Sequence, residues 1–276
     1  MNNLWILLFV IFFLVPQFQR MALNTARRRL LEKISRLRGS EVITLIHRQE
    51  TIAFFGIPIS RYIDIDDSEE VLRAIRTAPK DAPIDLVLHT PGGIALALKS
   101  HPGKKTVIVP HYAMSGGTFI ALAADEIIMD PYAVLGPVDP QFIEGNQAYP
   151  AVSVLKVLET KKIDEVEDRT IILADEARKA MAQIEELVCR TLGIRYPEET
   201  VKNICEELVR GKYTHDHPIT AQDAAAMGLK VSTEVPEEIY QLMSLYKMGS
   251  RARRPGVEFV PVMPSAPRER GPQAGS

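Results

Sequence analysis

A serine held between small residues is the first feature of the sequence that could do chemistry. The segment AMSGG, residues 113–117, places Ser115 between an apolar run that predicts a strand and a run that predicts a helix. A serine at a helix N-terminus is exposed, and the helix dipole favours negative charge there. The same position also suits an ordinary N-cap, which is worth about 1 kcal/mol of helix stability. The segment alone therefore supports both a nucleophile and a cap.

Paired glycines follow another predicted strand. The run IDLVLHT leads into Pro91, Gly92 and Gly93. Glycines let the backbone turn and present amide N–H groups with no side chain in the way. Such amides stabilise an oxyanion as it develops in a transition state. A PGG segment after a strand is nevertheless an ordinary turn in most proteins.

A lysine near the middle of the chain is a candidate base. Lys156 lies in the predicted helix PAVSVLKVLETKK, among Val152, Leu155 and Leu158. Burial lowers the pKa of a lysine towards the range of a working base. Ser153 shares a face with Lys156 that suits solvent equally well, so the pattern by itself favours a surface lysine.

The bulk composition is that of a folded globular protein. Of its 276 residues, 46% are hydrophobic and 25% are charged, and the net charge of −2 gives no reason to expect a nucleic-acid partner. The two cysteines, Cys189 and Cys205, have no metal-type spacing and are predicted to be free thiols, with a disulfide as the second interpretation. The histidines lack ligand spacing, and no motif for a dinucleotide or a Schiff base occurs. We therefore expect no metal and no cofactor.

The N-terminus differs from the rest of the chain. Leu4 to Val15 is an unbroken apolar run, LWILLFVIFFLV, which is shorter than the roughly 20 residues of a typical membrane span. Basic residues follow it at Arg20 and at positions 27–29, which predicts a body on the cytoplasmic side. The sequence thus predicts a single membrane anchor over residues 1–18 in contact with lipid. A basic amphipathic helix over residues 19–40 would lie on headgroups or on another helix.

The rest of the chain predicts an α/β fold. The strand-like runs EVITLIH, RYIDI, IDLVLHT and KTVIVPHY alternate with helical segments, which is typical of a mainly parallel, covered sheet. Residues 150–192 are predicted to be helical with a break near Ile163, and shorter helices follow. Residues 41–248 form the predicted catalytic domain, and residues 249–276 a disordered tail.

From Val42 to about Tyr246, some three-quarters of the chain, the sequence resembles the serine dehydrogenase proteinase family. These proteins are relatives of signal peptide peptidase A in the Clp-protease/crotonase superfamily. The segments that carry the resemblance are VITLIHRQE, RYIDIDDSE, VLRAIR, IDLVLHTPGG, VPHYAMSGGT, ALAADEIIMDPYAVLGPVDPQ and ITAQDAAAMGL.

The resemblance implies a membrane-anchored serine peptidase built on a spiral of strand-strand-helix units. Ser115 would attack the scissile carbonyl, and Gly93 and Gly116 would supply the oxyanion-hole amides, with Gly92 in support. Lys156 lies about forty residues after the serine, the spacing of the Ser-Lys dyad in related proteases, which makes it the implied general base.

Further implications concern supporting residues and assembly. Ser153 and Asp139 would support the dyad, although Asp139 in GPVDP also suits a turn. The substrate would be a peptide or protein, and the chain would form a homo-oligomer. One departure stands out: only IALALKS separates Gly93 from His101, roughly seven residues or two helical turns fewer than is usual in the family.

Other functions fit parts of the sequence. The Ser115 segment resembles the nucleophile elbow of α/β-hydrolases, in which case His215 or His217 would be the base and Asp164 or Asp168 the acid of an esterase. A non-catalytic Clp-like membrane scaffold is favoured by the shortened segment after the glycines. Acyl-CoA chemistry, as in crotonases, uses similar backbone amides but needs no serine at this position.

Overall fold

The centre of the molecule is a parallel β-sheet. The computed structural model describes residues 10–46, 51–54, 57–60, 65–89, 95–144 and 147–246. The sheet has the strand order β1-β4-β5-β7-β12, and every neighbouring pair is parallel. Its strands are β1 (Glu41–Ile46), β4 (Ile84–His89), β5 (Lys105–Val109), β7 (Glu126–Met129) and β12 (Val231–Ser232).

The central strands are rich in apolar residues because both faces of this sheet are covered. All residues of β4 and β5 are buried, as expected for strands packed on two sides. Leu86 pairs with Ile43 of β1 on one side and with Val107 of β5 on the other. Successive side chains enter different cores: Leu86 belongs to the larger cluster and Val87 to the smaller one.

Helices supply those two covers. α1 and α9 contribute Ile34 and Ile239 to the smaller core, while the larger core includes Ile120, Val188 and Ile204 from α4, α6 and α7. The helices are α1 (Val15–Arg38, after a π-helical turn at Val10–Leu14), α2 (Ile65–Thr77), α3 (Ala95–Ser100), α4 (Gly116–Leu122), α5 (Ala151–Thr160, before a 3₁₀ turn at Ile163–Glu165), α6 (Asp168–Leu192), α7 (Glu198–Leu208), α8 (Ala221–Ala226) and α9 (Glu237–Ser244).

Short strands complete the framework. β6, β8 and β11 form a separate three-stranded sheet in the order β11-β8-β6, and two further pairs are antiparallel ribbons. The bounds are β2 (Thr51–Phe54), β3 (Ile57–Ser60), β6 (Tyr112–Ala113), β8 (Val134–Leu135), β9 (Gln141–Glu144), β10 (Gln147–Pro150) and β11 (Ile219–Thr220). The predicted α/β fold with a mainly parallel, covered sheet is confirmed. The predicted domain limits, including the tail beyond the described residues, stay predictions.

The basic N-terminal helix packs against its own chain. Ile34 is buried beneath α9 and the sheet. The Arg27 guanidinium donates to the backbone oxygen of Leu245 at 2.9 Å, and Arg38 forms an ion pair with Asp85 of β4. The Ser40 hydroxyl donates to the same buried carboxylate at 2.6 Å. This helix therefore packs on α9 and on β4 of its own chain.

The predicted membrane anchor is wrong. In the part of the chain that the structure describes, no helix is long and apolar enough to cross a membrane. Residues 1–9 of the predicted anchor lie outside the described residues, and in α1 Gln17, Gln19 and Arg20 interrupt the apolar residues within two turns of its start. The expectations of a single N-terminal anchor with a cytoplasmic catalytic domain, and of lipid contact through this helix, lose their basis.

Candidate active site

Ser115 lies on a strained turn between β6 and α4. Its φ of 50° and ψ of −114° make it the one non-glycine residue with a positive φ among the residues that the structure describes. Such a conformation costs on the order of 1–3 kcal/mol and persists only where the surroundings impose it. Ser115 occupies the N-cap position of α4, yet its side chain makes no capping hydrogen bond. The cap explanation for this serine therefore fails, and the strain requires another one.

A backbone N–H is available next to this serine. Gly117 donates to the carbonyl oxygen of Met114 at 2.7 Å, and Phe119 donates to that of Ser115 at 3.1 Å. For the N–H of Gly116, no acceptor is found among the described residues. An unsatisfied amide beside a serine is what an oxyanion hole requires. Its predicted counterparts, Gly92 and Gly93, lie outside the described residues.

A buried threonine clamps the turn to the segment GPVD, residues 136–139. Thr118 is 0% exposed, and its Oγ1 lies 2.7 Å from the carbonyl oxygen of Ala113 and 2.8 Å from that of Gly136. Oγ1 of Thr118 also accepts a hydrogen bond from the N–H of Gly136 at 2.9 Å. Gly136 approaches so closely that a Cβ there would lie 2.5 Å from Cε of Met114. The Ser115 turn and the GPVD segment thus form one packed unit.

The three-stranded sheet determines which residues meet at this edge. Ala113 pairs in parallel with Leu135, so the Ser115 turn and the GPVD segment leave their strands at the same end. Leu135 also pairs antiparallel with Ile219 of β11. Asp139 lies four positions after Leu135, and His215 lies four positions before Ile219. This register therefore brings Asp139 and His215 opposite each other.

Asp139 and His215 are in direct contact. Nδ1 of His215 lies 2.7 Å from Oδ1 of Asp139, whose side chain is 1% exposed, and Nε2 of Gln141 donates to Oδ2 at 2.6 Å. A carboxylate only accepts hydrogen bonds, which assigns the ring proton to Nδ1 and the lone pair to Nε2 of a neutral His215. This is the arrangement in which an aspartate orients a histidine base.

Asp139, not Asp164 or Asp168, is thus the partner of His215. Both alternative acids are exposed, Asp164 in the 3₁₀ turn and Asp168 at the start of α6. His217, the other histidine considered, stacks on the ring of Tyr213 with centroids 4.1 Å apart. Sequence spacing did not indicate the Asp139–His215 pair, because its residues lie on strands too short for a recognisable pattern.

Lys156 is not in contact with Ser115 within the chain. Its side chain is 70% exposed on α5, and Nζ donates to the Glu159 carboxylate at 2.6 Å. Ser153 is exposed on the same helix. The structure therefore brings together Ser115, Gly116 and the GPVD segment, but it does not bring Lys156 or Ser153 to them.

The geometry supports no role for Tyr112 as a base and no metal site near Ser115 among the described residues. Burial raises the pKa of Tyr112, so its phenol keeps its proton near neutral pH. The Tyr112 ring packs 4.0 Å from that of His89, centroid to centroid. Within the described ranges, no group of three or more histidine, cysteine, aspartate or glutamate residues is placed to hold a metal ion.

A serine on a strained strand-to-helix turn, beside an available backbone amide and within an α/β fold, defines a candidate serine hydrolase site. The chain belongs to the family of ClpP-like SDH-type serine proteinases, whose family model matches residues 1–273. The predicted family is thereby confirmed, and it supports a serine protease rather than an α/β-hydrolase-type esterase.

Sequence relatives span nearly the whole chain. An uncharacterized protein of Methanocaldococcus jannaschii, MJ0137, is 53% identical over 265 residues, which cover 94% of this chain and 91% of that protein. A second one from the same organism, MJ1495, is 47% identical over 269 residues, covering 95% and 90%.

Solved structures show a weaker likeness. A mutant of the 1510-N membrane-bound stomatin-specific protease matches with a TM-score of 0.41 and 16% identity, over 73% of this chain and 83% of that one. ClpP1 from Listeria monocytogenes matches with a TM-score of 0.41 and 14% identity, over 73% and 96%. At these scores the likeness adds nothing to the argument about the site.

Proposed function

We propose that this protein is a serine peptidase that hydrolyses peptide bonds with Ser115 as its nucleophile. The observation that carries the proposal is the backbone of Ser115, which the packed surroundings hold at a positive φ without any capping hydrogen bond. A nucleophile on such a turn projects away from the backbone that carries it. Membership in a family of ClpP-like serine proteinases supports the same residue type and reaction.

The proposed reaction is acyl transfer to serine followed by hydrolysis. A base removes the proton from Oγ of Ser115 as the oxygen attacks the carbonyl carbon of the substrate. The N–H of Gly116 stabilises the resulting oxyanion, together with that of Gly93 in the glycine segment that Gly92 helps to shape. The protonated base then gives its proton to the departing amine, and water releases the acyl group.

Lys156 is the proposed general base, on the strength of the family-type spacing from Ser115. A lysine removes a proton only when its amine is neutral, and the amine must come within hydrogen-bond distance of the serine hydroxyl. Lys156 instead contacts Glu159 on an exposed face of α5. The dyad therefore requires either a movement of α5, with Ser153 beside the lysine, or contact between α5 of one copy and Ser115 of another.

His215 is the second candidate base, and a specific observation favours it. Asp139 orients its ring, and Gln141 fixes the carboxylate in turn. The pair leaves its strands at the same edge as the Ser115 turn. A Ser115–His215–Asp139 arrangement would perform the same hydrolysis without Lys156.

A homo-oligomer is part of the proposal. Clp-like proteases often oligomerise and act on protein substrates. Large apolar side chains lie exposed, among them Ile143 on β9, which is 70% exposed, and Ile172 on α6. Exposed apolar area of this kind favours association. Light scattering should give a mass several times that of one chain, whereas a monomer at micromolar concentration would contradict this part of the proposal.

The decisive experiment is labelling of the purified, folded protein with a fluorophosphonate probe. We expect covalent modification of wild type at Ser115, located by peptide mass spectrometry, and none of Ser115→Ala. Ser244→Ala, which changes an exposed serine on α9, is the matched control and should label like wild type. Absence of labelling in wild type would instead favour a non-catalytic Clp-like scaffold.

A further inference from the structure

The two cysteines of the chain meet between two helices far along the sequence from Ser115. Sγ of Cys189 on α6 lies 2.6 Å from Sγ of Cys205 on α7, and both are free thiols. A disulfide has an S–S distance of about 2.05 Å. The two sulfurs therefore need to approach only slightly to form a bond.

We propose that Cys189 and Cys205 form a reversible intramolecular disulfide when the protein meets a small-molecule disulfide such as oxidised glutathione. This proposal does not depend on Ser115 or on the peptidase reaction. The free-thiol prediction holds for the reduced form, and the disulfide is the oxidised form of the same site.

The environments of the two thiols determine the order of the steps. Cys205 is 2% exposed, whereas Cys189 is half-buried and therefore accessible to a reagent. Burial, followed by the contact with the Cys189 sulfur, raises the pKa of the Cys205 thiol. A buried thiol is slow to ionise and slow to meet a reagent. Cys189 is consequently the entering thiol, and Cys205 is the resolving one.

The exchange balances in two steps. The Cys189 thiolate attacks one sulfur of oxidised glutathione, which forms a mixed disulfide and releases one glutathione thiolate. Cys205, as it loses its proton, attacks the Cys189 sulfur, breaks the mixed disulfide and releases the second glutathione. Two electrons pass from the cysteine sulfurs to the glutathione disulfide. The two protons that the cysteines lose are taken up, through solvent, by the two glutathione thiolates.

The bond would connect two elements that support the Ser115 region. Arg195, in the connection between α6 and α7, donates to the carbonyl oxygen of Leu122 at the end of α4. The carbonyl oxygen of Leu208, the last residue of α7, accepts the N–H of Val138 in the GPVD segment at 2.7 Å. A disulfide between these helices would therefore restrict movement on both sides of the turn that carries Ser115.

The test is to treat the folded full chain with oxidised glutathione, unfold it, alkylate the remaining thiols and measure the intact mass. Wild type should lose the mass of two hydrogen atoms and take up no alkylating agent, and dithiothreitol should restore two reactive thiols. The oxidised form should melt roughly 6–12 °C above the reduced form, because the bond closes a short loop. Two alkylated cysteines after this treatment, or dimers linked through cysteine, would overturn the proposal.

Single variants test the order of attack and guard against loss of fold. Cys205→Ser should retain one glutathione on Cys189, because the resolving thiol is gone. Cys189→Ser should take up little glutathione at the buried Cys205 while folded, but should take it up readily in denaturant. Equal modification of both folded variants would contradict the assigned order, and circular dichroism of each variant shows whether it is folded.

Discussion

The Ser115 turn and helix α5 carry the two halves of the proposed dyad, and they are built in opposite ways. The turn lies between β6 and α4, is clamped by the buried Thr118 and holds its serine in a strained conformation. α5 presents Lys156 to solvent, paired with a carboxylate one turn away. Strain can be maintained only where packing resists relaxation, so the nucleophile needs the core and an exposed lysine does not.

This difference indicates which half of the site is complete within one chain. The position of the serine follows from contacts inside the described fold, and the available N–H of Gly116 lies beside it. The base either comes from α5 by a rearrangement or an assembly contact, or is His215, which already lies against Asp139. The four predictions below distinguish the two candidate bases and compare how much the Ser115 region and α5 contribute to stability.

The largest expected effect distinguishes the two bases. If Lys156 is the base, Lys156→Ala and Lys156→Arg should each reduce kcat of peptide hydrolysis by at least about 10³-fold, because arginine keeps its proton at any working pH. His215→Gln should then retain most of the activity. The reverse pattern would assign the base to His215 and remove α5 from the mechanism. Lys161→Arg, at the exposed end of the same helix, is the matched control.

The clamp beneath the serine should be the most costly of the structural changes. Thr118→Val preserves the shape of the side chain but leaves the carbonyl of Ala113 and the amide of Gly136 without their partner. We expect a loss of about 2–3 kcal/mol in the free energy of unfolding, measured with urea. Thr118→Ser should lose far less, since it retains the hydroxyl. Thr160→Val removes an exposed hydroxyl bond from α5 and should change stability by less than about 0.5 kcal/mol.

We expect the folding stability to depend on pH through Asp125, which lies at the far end of α4 from Ser115. Burial by itself raises the pKa of this carboxyl, but hydrogen bonds from the Lys105 backbone N–H and ammonium and the charge of Arg195 outweigh it and leave the pKa below its usual value. A depressed pKa stabilises the fold above the unfolded-state value, and this contribution is lost as the pH falls through the folded-state value.

We therefore expect Asp125→Asn to cost about 1 kcal/mol at pH 6, with the difference from wild type shrinking below about pH 4. Urea unfolding at a series of pH values measures this. Asp81→Asn, at an exposed aspartate, is the comparison. A difference that stays constant from pH 6 down to pH 2 would show that the Asp125 charge does not contribute.

The smallest expected effect is at α5. Glu159→Gln removes the partner of Lys156 and should change the free energy of unfolding by less than about 0.5 kcal/mol, because both side chains are exposed. A loss above 1 kcal/mol would mean that this face of α5 is covered in solution, which would support an assembly contact for Lys156.

The sequence predicted the five-stranded sheet well and the three-stranded sheet next to Ser115 poorly. The runs IDLVLH and KTVIV became β4 and β5 because their three consecutive apolar residues, 86–88 and 107–109, fit a strand covered on both faces. β6, β8 and β11 have two residues each, too few for any periodicity, and their pairing is a tertiary effect. Asp139 and His215 meet only through that pairing, which explains why spacing alone suggested other acids.

Two other predictions fall on segments that the structure describes only in part. The RYIDI segment was predicted to be a strand, but its last residue, Ile65, begins α2, and residues 61–64 lie outside the described residues. β-branched residues favour strands, but the acidic first turn and the helical periodicity that follow outweigh this local preference. The anchor prediction gave weight to apolar residues and too little to the polar residues that follow them in α1.

The pairing of β8 with β11, which brings Asp139 and His215 together, also has a consequence for the folding of a growing chain. Asp139 and His215 are 76 positions apart, and β8 acquires its second neighbour only when Ile219 is present. Contacts of such high sequence separation form late, and a chain made from its N-terminus reaches this pairing only after Ile219 has been added. A nascent chain thus contains Ser115 long before it contains β11. If His215 is the base, peptidase activity should accordingly appear only after β11 has been made and has paired with β8.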